Sequence, residues 1–404
     1  MSERFLRLAC TAAVVAAQAV LAPVPALAAP GPERPVAELL TDLQQAYRQT
    51  EQATETYNAT EERLNRQRTV VTRLDDELAR ARRSLHGSRS EAGRLARQQY
   101  QNTTGFSPYL RLLLARDPQH ALDEGHVIGR LARARAETVG RLADDEKKQI
   151  DLARQARKAL DARLALAESQ KKARDEVRAR LSEVERMLAA LTPDQLTALS
   201  ALEQDRTADA QRKLTLSGAL SATTPPPSRE GDRAVRYAVE QLGKPYQWGA
   251  AGPVSYDCSG LTSQAWDHAG TPIPRTSQEQ WATLPHVPLN ELRPGDLVVY
   301  FPEATHIALY LGDGKVVQAP RPGAKVKVSP IAANPILGAV RPDPKARPLA
   351  HYTPPTVPKT ATEGPDEGLG TPQPTVPAPT QGRGAVSDMR LRRVGAINPR
   401  SPAL

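Results

Sequence analysis

From Val36 to His86 the chain contains neither proline nor glycine, and apolar residues recur at spacings of three and four around occasional polar sites: Leu64, Val71, Leu74, Leu78, Ala81 and Leu85, with Leu95 continuing the series. That period belongs to an α-helix with one apolar seam. Charged and glutamine residues fill the other faces. Read over 34–103, such a helix is about 105 Å long at ~1.5 Å per residue. No small globular core can cover one side of so long a rod, so it needs a coiled-coil partner.

The partner is expected later in the same chain. Asn102-Thr103-Thr104-Gly105 breaks the pattern, and Asp117-Pro118 opens a second helix that runs to about Leu191. Its stripe is less regular: Leu131, Leu142, Ile150, Leu160, Leu164, Val177, Leu181, Val184, Leu188 and Leu191. Two helices of similar length predict an antiparallel hairpin over 34–205 with matched ends, although heptads serve a pair of chains equally well. At the tip, Tyr109-Leu110-Arg111-Leu112-Leu113-Leu114 reads as a short apolar helix that either packs the turn or docks another protein. Thr192-Pro193-Asp194-Gln195 carries the signature of a helix start. The third helix that follows, with Leu196, Leu199 and Leu202, either lies across a later domain as an inhibitory segment or ends the stalk.

The ends of the chain bound its location. Arg4 and Arg7 precede an apolar run from Leu8 to Leu21, and Ala26-Leu27-Ala28 is a small-residue exit. Residues 1–28 therefore read as a secretory signal peptide, not a membrane span. Cleavage removes Cys10 and leaves Cys258 as the one cysteine of the mature chain. A formal charge of +9 suits anionic wall polymers or lipid headgroups in an exported protein. Nucleic acid is excluded as a partner, because the long basic segment lacks aromatics interleaved with its Lys and Arg. Residues 206–230, with Pro225-Pro226-Pro227, form a linker, and the Pro- and Thr-rich stretch 343–404 reads as a disordered tail with no membrane-spanning segment.

Between linker and tail, 231–342 is long enough for one small core. Short strands are expected at Asp296-Tyr300, His306-Leu311, Val316-Ala319 and Val326-Val328, behind an amphipathic helix from Asp232 to Leu242. In Tyr256-Asp257-Cys258-Ser259-Gly260 the cysteine stands where a second helix begins, where unpaired N–H groups and the helix dipole favour a thiolate. A thiol nucleophile needs a base. His268 lies too far along the same helix, His286 falls in a Pro-rich connection, and His306 opens a strand that turns at Gly312-Asp313-Gly314 and returns through Gln318. Antiparallel pairing brings Gln318 toward His306, so Cys258, His306 and Gln318 make a candidate nucleophile, base and orienter. Spacing favours His306 over His286 without removing the latter. No H-E-x-x-H arrangement or cysteine cluster suggests a metal, and no cofactor is expected.

Five blocks then carry a resemblance: Gly243-Lys244-Pro245-Tyr246-Gln247-Trp248-Gly249, Tyr256-Asp257-Cys258-Ser259-Gly260-Leu261, Pro274-Arg275-Thr276-Ser277, Arg293-Pro294-Gly295-Asp296-Leu297-Val298 and His306-Ile307-Ala308-Leu309-Tyr310-Leu311-Gly312. In this order they resemble the NlpC family of bacterial cell-wall cysteine endopeptidases, over about 230–342. The resemblance implies an α+β papain-like domain, with the nucleophile's helix packed on a small antiparallel sheet. It also implies hydrolysis of an amide bond in peptidoglycan stem peptides, between D-isoglutamate and a diamino acid. Cys258 matches the nucleophile, His306 the base and Gln318 the orienting position, which is often His in the family. Tyr246 matches a tyrosine at the mouth of the site, with a part in oxyanion or substrate contacts. Asp257 and Ser259 match substrate-contacting residues, the former placed to meet a free amine. In wall hydrolases of this architecture the coiled coil recruits the enzyme to a membrane or cell-division complex, or holds it inactive. The competing readings are a non-hydrolytic wall or division scaffold and a thiol acyltransferase on the same fold.

Overall fold

The computed structural model describes residues 34–101, 110, 113–114, 117–221, 223–358 and 361. The expected signal peptide, most of the apolar tip segment and the tail beyond 361 lie outside the described residues.

Helix α1 spans Val36–Gln101 and α2 spans Pro118–Ala189. Asp117 caps α2 by accepting the His120 N–H at 2.8 Å, with Pro118 in the first turn where no N–H is needed. Pairing is antiparallel: Arg180 reaches Gln49, Gln67 reaches the Ala159 carbonyl, Ser84 reaches Asp145 and Arg141 reaches Glu91. The α1 seam is as the heptads predict, with Leu64, Val71, Leu74, Leu78, Ala81 and Leu85 buried. The α2 seam differs. Val177, Val184 and Leu188 are buried as expected, but Leu131, Ile150, Leu160 and Leu164 are exposed. Leu152, Ala156 and Ala159 face α1 in their place. Leu160 is one residue, about 100° of helix, away from Ala159, and the small alanines let the helices approach where leucines would hold them apart.

Helix α3, Pro193–Leu216, starts with a full capping box between Thr192 and Gln195. It continues through 206–216, part of the stretch read as linker. Leu199 closes a cluster with Leu40, Leu43, Tyr47, Val184 and Leu188 at the base of the hairpin. Further on, the Gln211 amide donates to the Gly314 carbonyl at 3.2 Å and accepts the Ala332 N–H at 3.1 Å. Helix α3 therefore ties the hairpin base to the sheet.

The second body contains α4 (Arg229–Glu240), α5 (Cys258–His268) and α6 (Ser277–Thr283). Its sheet comprises β1 (His286–Val287), β2 (Leu297–Tyr300), β3 (His306–Gly312), β4 (Lys315–Gln318), β5 (Lys327–Pro330) and β6 (Ile336–Val340). All pairs are antiparallel, in the order β1-β6-β2-β3-β4-β5. Alternation sorts the side chains. Leu297, Val299, Ile307, Leu309 and Val317 pack with Ala234, Val235, Leu261, Ala265 and Trp266 of α4 and α5. Val298, Tyr300, Ala308, Tyr310 and Val316 face the other way, toward Ile331, Leu214 and Leu220. This is the α+β arrangement the resemblance implies, behind a helical hairpin. The sequence reading contains four of these strands. It lacks β1 and β6, the latter bounded by Pro335 and Pro342 and interrupted by Gly338. That glycine is required: an added Cβ would come within 2.7 Å of the Trp281 ring.

Residues 343–357, assigned to the tail by composition, lie against this body. Asp343 pairs with Arg293 at 2.7 Å and accepts the Ser228 hydroxyl, the Leu349 N–H donates to the Pro227 carbonyl at 2.8 Å, and Val357 packs on the core. Because Leu199 is fully buried where three helices meet, Leu199→Ala should lower stability by about 2–4 kcal/mol. Chemical denaturation followed by helical signal measures it.

Candidate active site

The first turn of α5 places Cys258. Asp257 is its N-cap and accepts the Gly260 N–H at 2.6 Å. Gly260 is there by necessity, since a Cβ would stand 2.2 Å from the Ala250 carbonyl oxygen. Leu261, Ala265 and Trp266 are buried, and the Trp266 indole N–H donates to the Gly295 carbonyl at 3.1 Å, so the helix is pinned beneath β2. The cysteine sulfur lies 4.0 Å from the Thr305 carbonyl and receives the Ile307 N–H, the two peptide units on either side of His306.

His306 is the first residue of β3. The β3–β4 register pairs Leu309 with Val317, which puts Gln318 and His306 at diagonal positions of one sheet face. Their side chains meet: Nε2 of His306 lies 2.7 Å from Oε1 of Gln318, and the Gln318 amide donates to the Ser329 hydroxyl at 2.8 Å. With its amide nitrogen occupied by Ser329, Gln318 presents an acceptor to the ring, so Nε2 carries the hydrogen and Nδ1 is the nitrogen left for proton transfer. His286 is elsewhere, stacked on Trp281 with its ring nitrogen at the Trp281 carbonyl, and His268 lies against Tyr237.

Nδ1 of His306 faces the hairpin. Oε1 of Glu51, on α1, stands 3.1 Å from it without the alignment of a hydrogen bond. One turn on, Glu55 accepts the Ser259 hydroxyl at 2.6 Å and the Ser277 N–H at 2.8 Å, and its Oε1 is 4.0 Å from the cysteine sulfur. One turn further, the Asn58 amide donates to Oδ2 of Asp257 at 3.1 Å. Tyr57 closes the far side against Trp248, ring centroids 5.1 Å apart. The hairpin segment that fills the cleft is thus in the N-terminal third of α1, whereas α3, the segment considered for inhibition from sequence, packs at its flank.

The substrate-contact candidates have definite surroundings. Asp257 is fully buried and held by Arg275 through both carboxylate oxygens, at 3.0 and 2.7 Å. Ser259 also receives Arg275, at 2.9 Å. Tyr246 is buried, and its hydroxyl has no hydrogen-bond partner among the described residues. Residues 243–338 match the NlpC/P60 family. They form an NlpC/P60 domain. A probable endopeptidase of Corynebacterium glutamicum (strain R) is 44% identical over 101 residues, 25% of this chain and 48% of that protein. A probable endopeptidase of Mycobacterium tuberculosis is 39% identical over 119 residues, 29% of this chain and 31% of its own. Among solved structures, RipD of Mycobacterium tuberculosis, described as a non-catalytic NlpC/p60 domain protein adapted to peptidoglycan binding, is 32% identical over 28% of this chain and 98% of that one, with a TM-score of 0.26. The chain spans less than half the length of these two curated relatives.

Within the NlpC/P60 domain the electrostatics follow from α1. Burial pushes the Cys258 thiol well up, and the carboxylates of Glu55, Asp257 and Glu51 push it further, against the Ile307 N–H. The thiolate expected from the helix N-terminus is therefore suppressed in this closed arrangement. Burial drives Glu55 up to about 7, with the Asp257 charge adding to it and Arg275 opposing. Burial also works against a charged His306, but Glu51 and the Gln318 bond outweigh it and leave the imidazole above its ordinary value. With α1 in the cleft, the thiol of Cys258 is held up by burial and acidic neighbours, and Glu51 stands beside the His306 ring.

Arg275 and Ser277 stand in one of the resemblance blocks with no role given to them, and Glu51, Glu55 and Asn58 belong to the polar faces of the α1 pattern. The signal for the last three was present. Thr50, Glu51, Thr54, Glu55 and Asn58 recur at helical spacing where the apolar seam pauses, and all are buried. Both raised groups act in one direction. Their stabilisation of the closed chain is complete below the free-group values, near 4.5 for Glu55 and 6.5 for His306, and is lost as pH rises through the raised ones. The thermal midpoint should therefore fall by several degrees from pH 5 to pH 8, and Glu55→Gln should roughly halve that fall, as calorimetry at fixed ionic strength would measure.

Proposed function

We propose that this chain is an exported peptidoglycan endopeptidase that hydrolyses a stem-peptide amide bond, D-isoglutamyl to diamino acid, by thiol catalysis at Cys258 and His306. We further propose that α1 holds it latent. The observation that carries the reading is the His306–Gln318 bond at 2.7 Å, which leaves Nδ1 directed into the cleft beside the cysteine helix of an NlpC/P60 domain.

When α1 withdraws, Glu51 and Glu55 leave with it and the thiol regains water, while Asp257 stays paired with Arg275. The Cys258 proton passes to Nδ1 of His306, and the thiolate attacks the scissile carbonyl carbon. The oxyanion receives the Cys258 N–H and the Tyr246 hydroxyl, a buried group without a hydrogen-bond partner among the described residues. Collapse breaks the C–N bond, His306 gives its proton to the leaving amine, and a thioester remains. Water attacks the thioester, its proton goes to His306, and the thiol is regenerated with a free carboxylate product. Asp257, Ser259 and Arg275 line the acyl side, and the Asn58 amide nitrogen on Asp257 occupies the place proposed for the substrate's amine. The coiled coil would present the enzyme to a membrane or cell-division partner whose binding lifts α1. No helix among the described residues is long and apolar enough to cross a membrane.

Mass analysis of defined stem peptides incubated with the full chain tests both parts. Glu51→Ala/Glu55→Ala should raise cleavage at least about tenfold over the unmodified chain, because the ion pair and the Ser259 and Ser277 contacts are lost. Adding Cys258→Ala should abolish product. Retained hydrolysis in that triple variant would overturn the thiol mechanism, a joined product would overturn hydrolysis in favour of transfer, and unchanged activity in the double variant would overturn latency. In the opened chain, Gln318→Ala should lower kcat by about 10- to 100-fold with little change in KM, as steady-state kinetics would show, since it frees the ring from its productive tautomer.

A further inference from the structure

Arg321 has no place in the chemistry above, yet its surroundings are those of a binding group. It is 8% exposed, and its two terminal nitrogens meet the two carboxylate oxygens of Glu203 at 2.8 and 2.9 Å. Its guanidinium also lies over the Tyr47 ring, 5.0 Å from the centroid. Glu203 belongs to α3 and Tyr47 to α1. The fork is thus closed by the helical part of the chain, and by a carboxylate in the two-pronged geometry for which guanidinium is suited.

Its position is fixed from the catalytic side. Arg321 follows Gln318-Ala319-Pro320, so one end of its turn is the residue that orients His306. The Arg321 carbonyl accepts the Ala324 N–H at 3.1 Å, and the Ala324 carbonyl accepts the Tyr246 N–H at 2.8 Å. The turn bridges the two residues that flank the reacting centre. Helix α1 gives the order of groups along the cleft: Tyr47 meets Arg321, Glu51 meets His306, Glu55 meets Cys258 and Ser259, and Asn58 meets Asp257. Successive contacts lie about one helical turn, ~5–6 Å, apart. Arg321 is therefore on the His306 side of Cys258, the side to which the leaving amine departs, and opposite the Asp257 pocket. An extended peptide advances about 3.3 Å per residue. A carboxylate carried within the first few residues beyond the scissile nitrogen reaches that fork.

We propose that Arg321 is a specificity-determining residue that takes a carboxylate on the leaving-amine side of the stem peptide, and that Glu203 fills its fork as an internal surrogate while the chain is closed. This rests on the endopeptidase reading. The chemistry recognised is a carboxylate, supplied either by the side chain of the diamino acid or by the peptide's C-terminus, and the two are separable by amidating each in turn.

The test uses the full chain opened by Glu51→Ala/Glu55→Ala and carrying Cys258→Ala, so that peptide is bound and not consumed. Affinities are measured by calorimetry for a defined stem peptide, for the same peptide amidated on the diamino acid side chain, and for one amidated at the C-terminus. With Arg321 present, one amidation should weaken binding about tenfold, and that one names the carboxylate. With Arg321→Gln, the unmodified peptide should lose the same factor and that amidation should have no further effect; Arg321→Lys should recover part of the loss. Discrimination between acid and amide that persists in Arg321→Gln would overturn the proposal, as would binding indifferent to both amidations or no binding at all. Restoring Cys258 in the same chains separates the two readings. Arg321→Gln should then raise KM and leave kcat nearly unchanged, whereas intact acid-against-amide discrimination with no cleavage would overturn the endopeptidase reading and leave Arg321 standing.

Discussion

The structure depends on two carboxylates driven into the cleft between Cys258 and His306 by a helix that is otherwise a coiled-coil strand. Glu51 and Glu55 are almost fully buried, which is costly for charged groups unless they are matched. They are matched by the imidazole of His306, the hydroxyl of Ser259 and the N–H of Ser277 in the NlpC/P60 domain. Under the proposed latency, the same contacts that make the insertion tolerable keep the site inert. A hydrophobic plug would bind more indiscriminately, and it would leave the thiol and imidazole free to equilibrate between themselves.

The opening proposed above is favoured by the polar character of much of that contact. Removing α1 exposes carboxylates, an amide and hydroxyls to water, all of which hydrate well, so the loss on opening is much smaller than for an equal area of leucine. Most of the apolar anchoring lies elsewhere, at the hairpin base around Leu43, Leu188 and Leu199 and in the seam from Val71 to Ala81, with Ala53, Tyr57, Val177 and Leu181 adding a smaller contact on the domain core. The division is one of degree: leucines hold the helices to one another, while acids, an amide, two tyrosines and a small apolar patch around Ala53 and Val177 hold them against the domain.

Much of this was legible in the chain. The α1 period, the capping box at Thr192, the helix start at Cys258 and the β3–β4 hairpin that joins His306 to Gln318 each rest on local pattern, and local pattern survives folding. The α2 stripe misled because its leucines are scattered around the helix, and only the partner decides which of them are covered; the alanine seam is a property of the pair. Strand β6 was hidden by its flanking prolines and by a glycine whose reason, the Trp281 ring, lies far away in sequence. Glu51 and Glu55 were hidden most deeply. An acid on a long charged helix is ordinarily solvated, and only the shape of a domain some two hundred residues later makes it a ligand.

The dimensions of α1 carry a mechanical consequence. Leu43, in the clamped base, and Glu55, in the cleft, are separated by about 18 Å of helix, while Gln101 lies about 69 Å beyond Glu55 at ~1.5 Å per residue. If the base acts as fulcrum, a sideways load at the distal end reaches the Glu55 contact multiplied roughly fivefold. Piconewton forces applied far from the sheet would then be felt at the thiol as the pull on a crowbar's short arm.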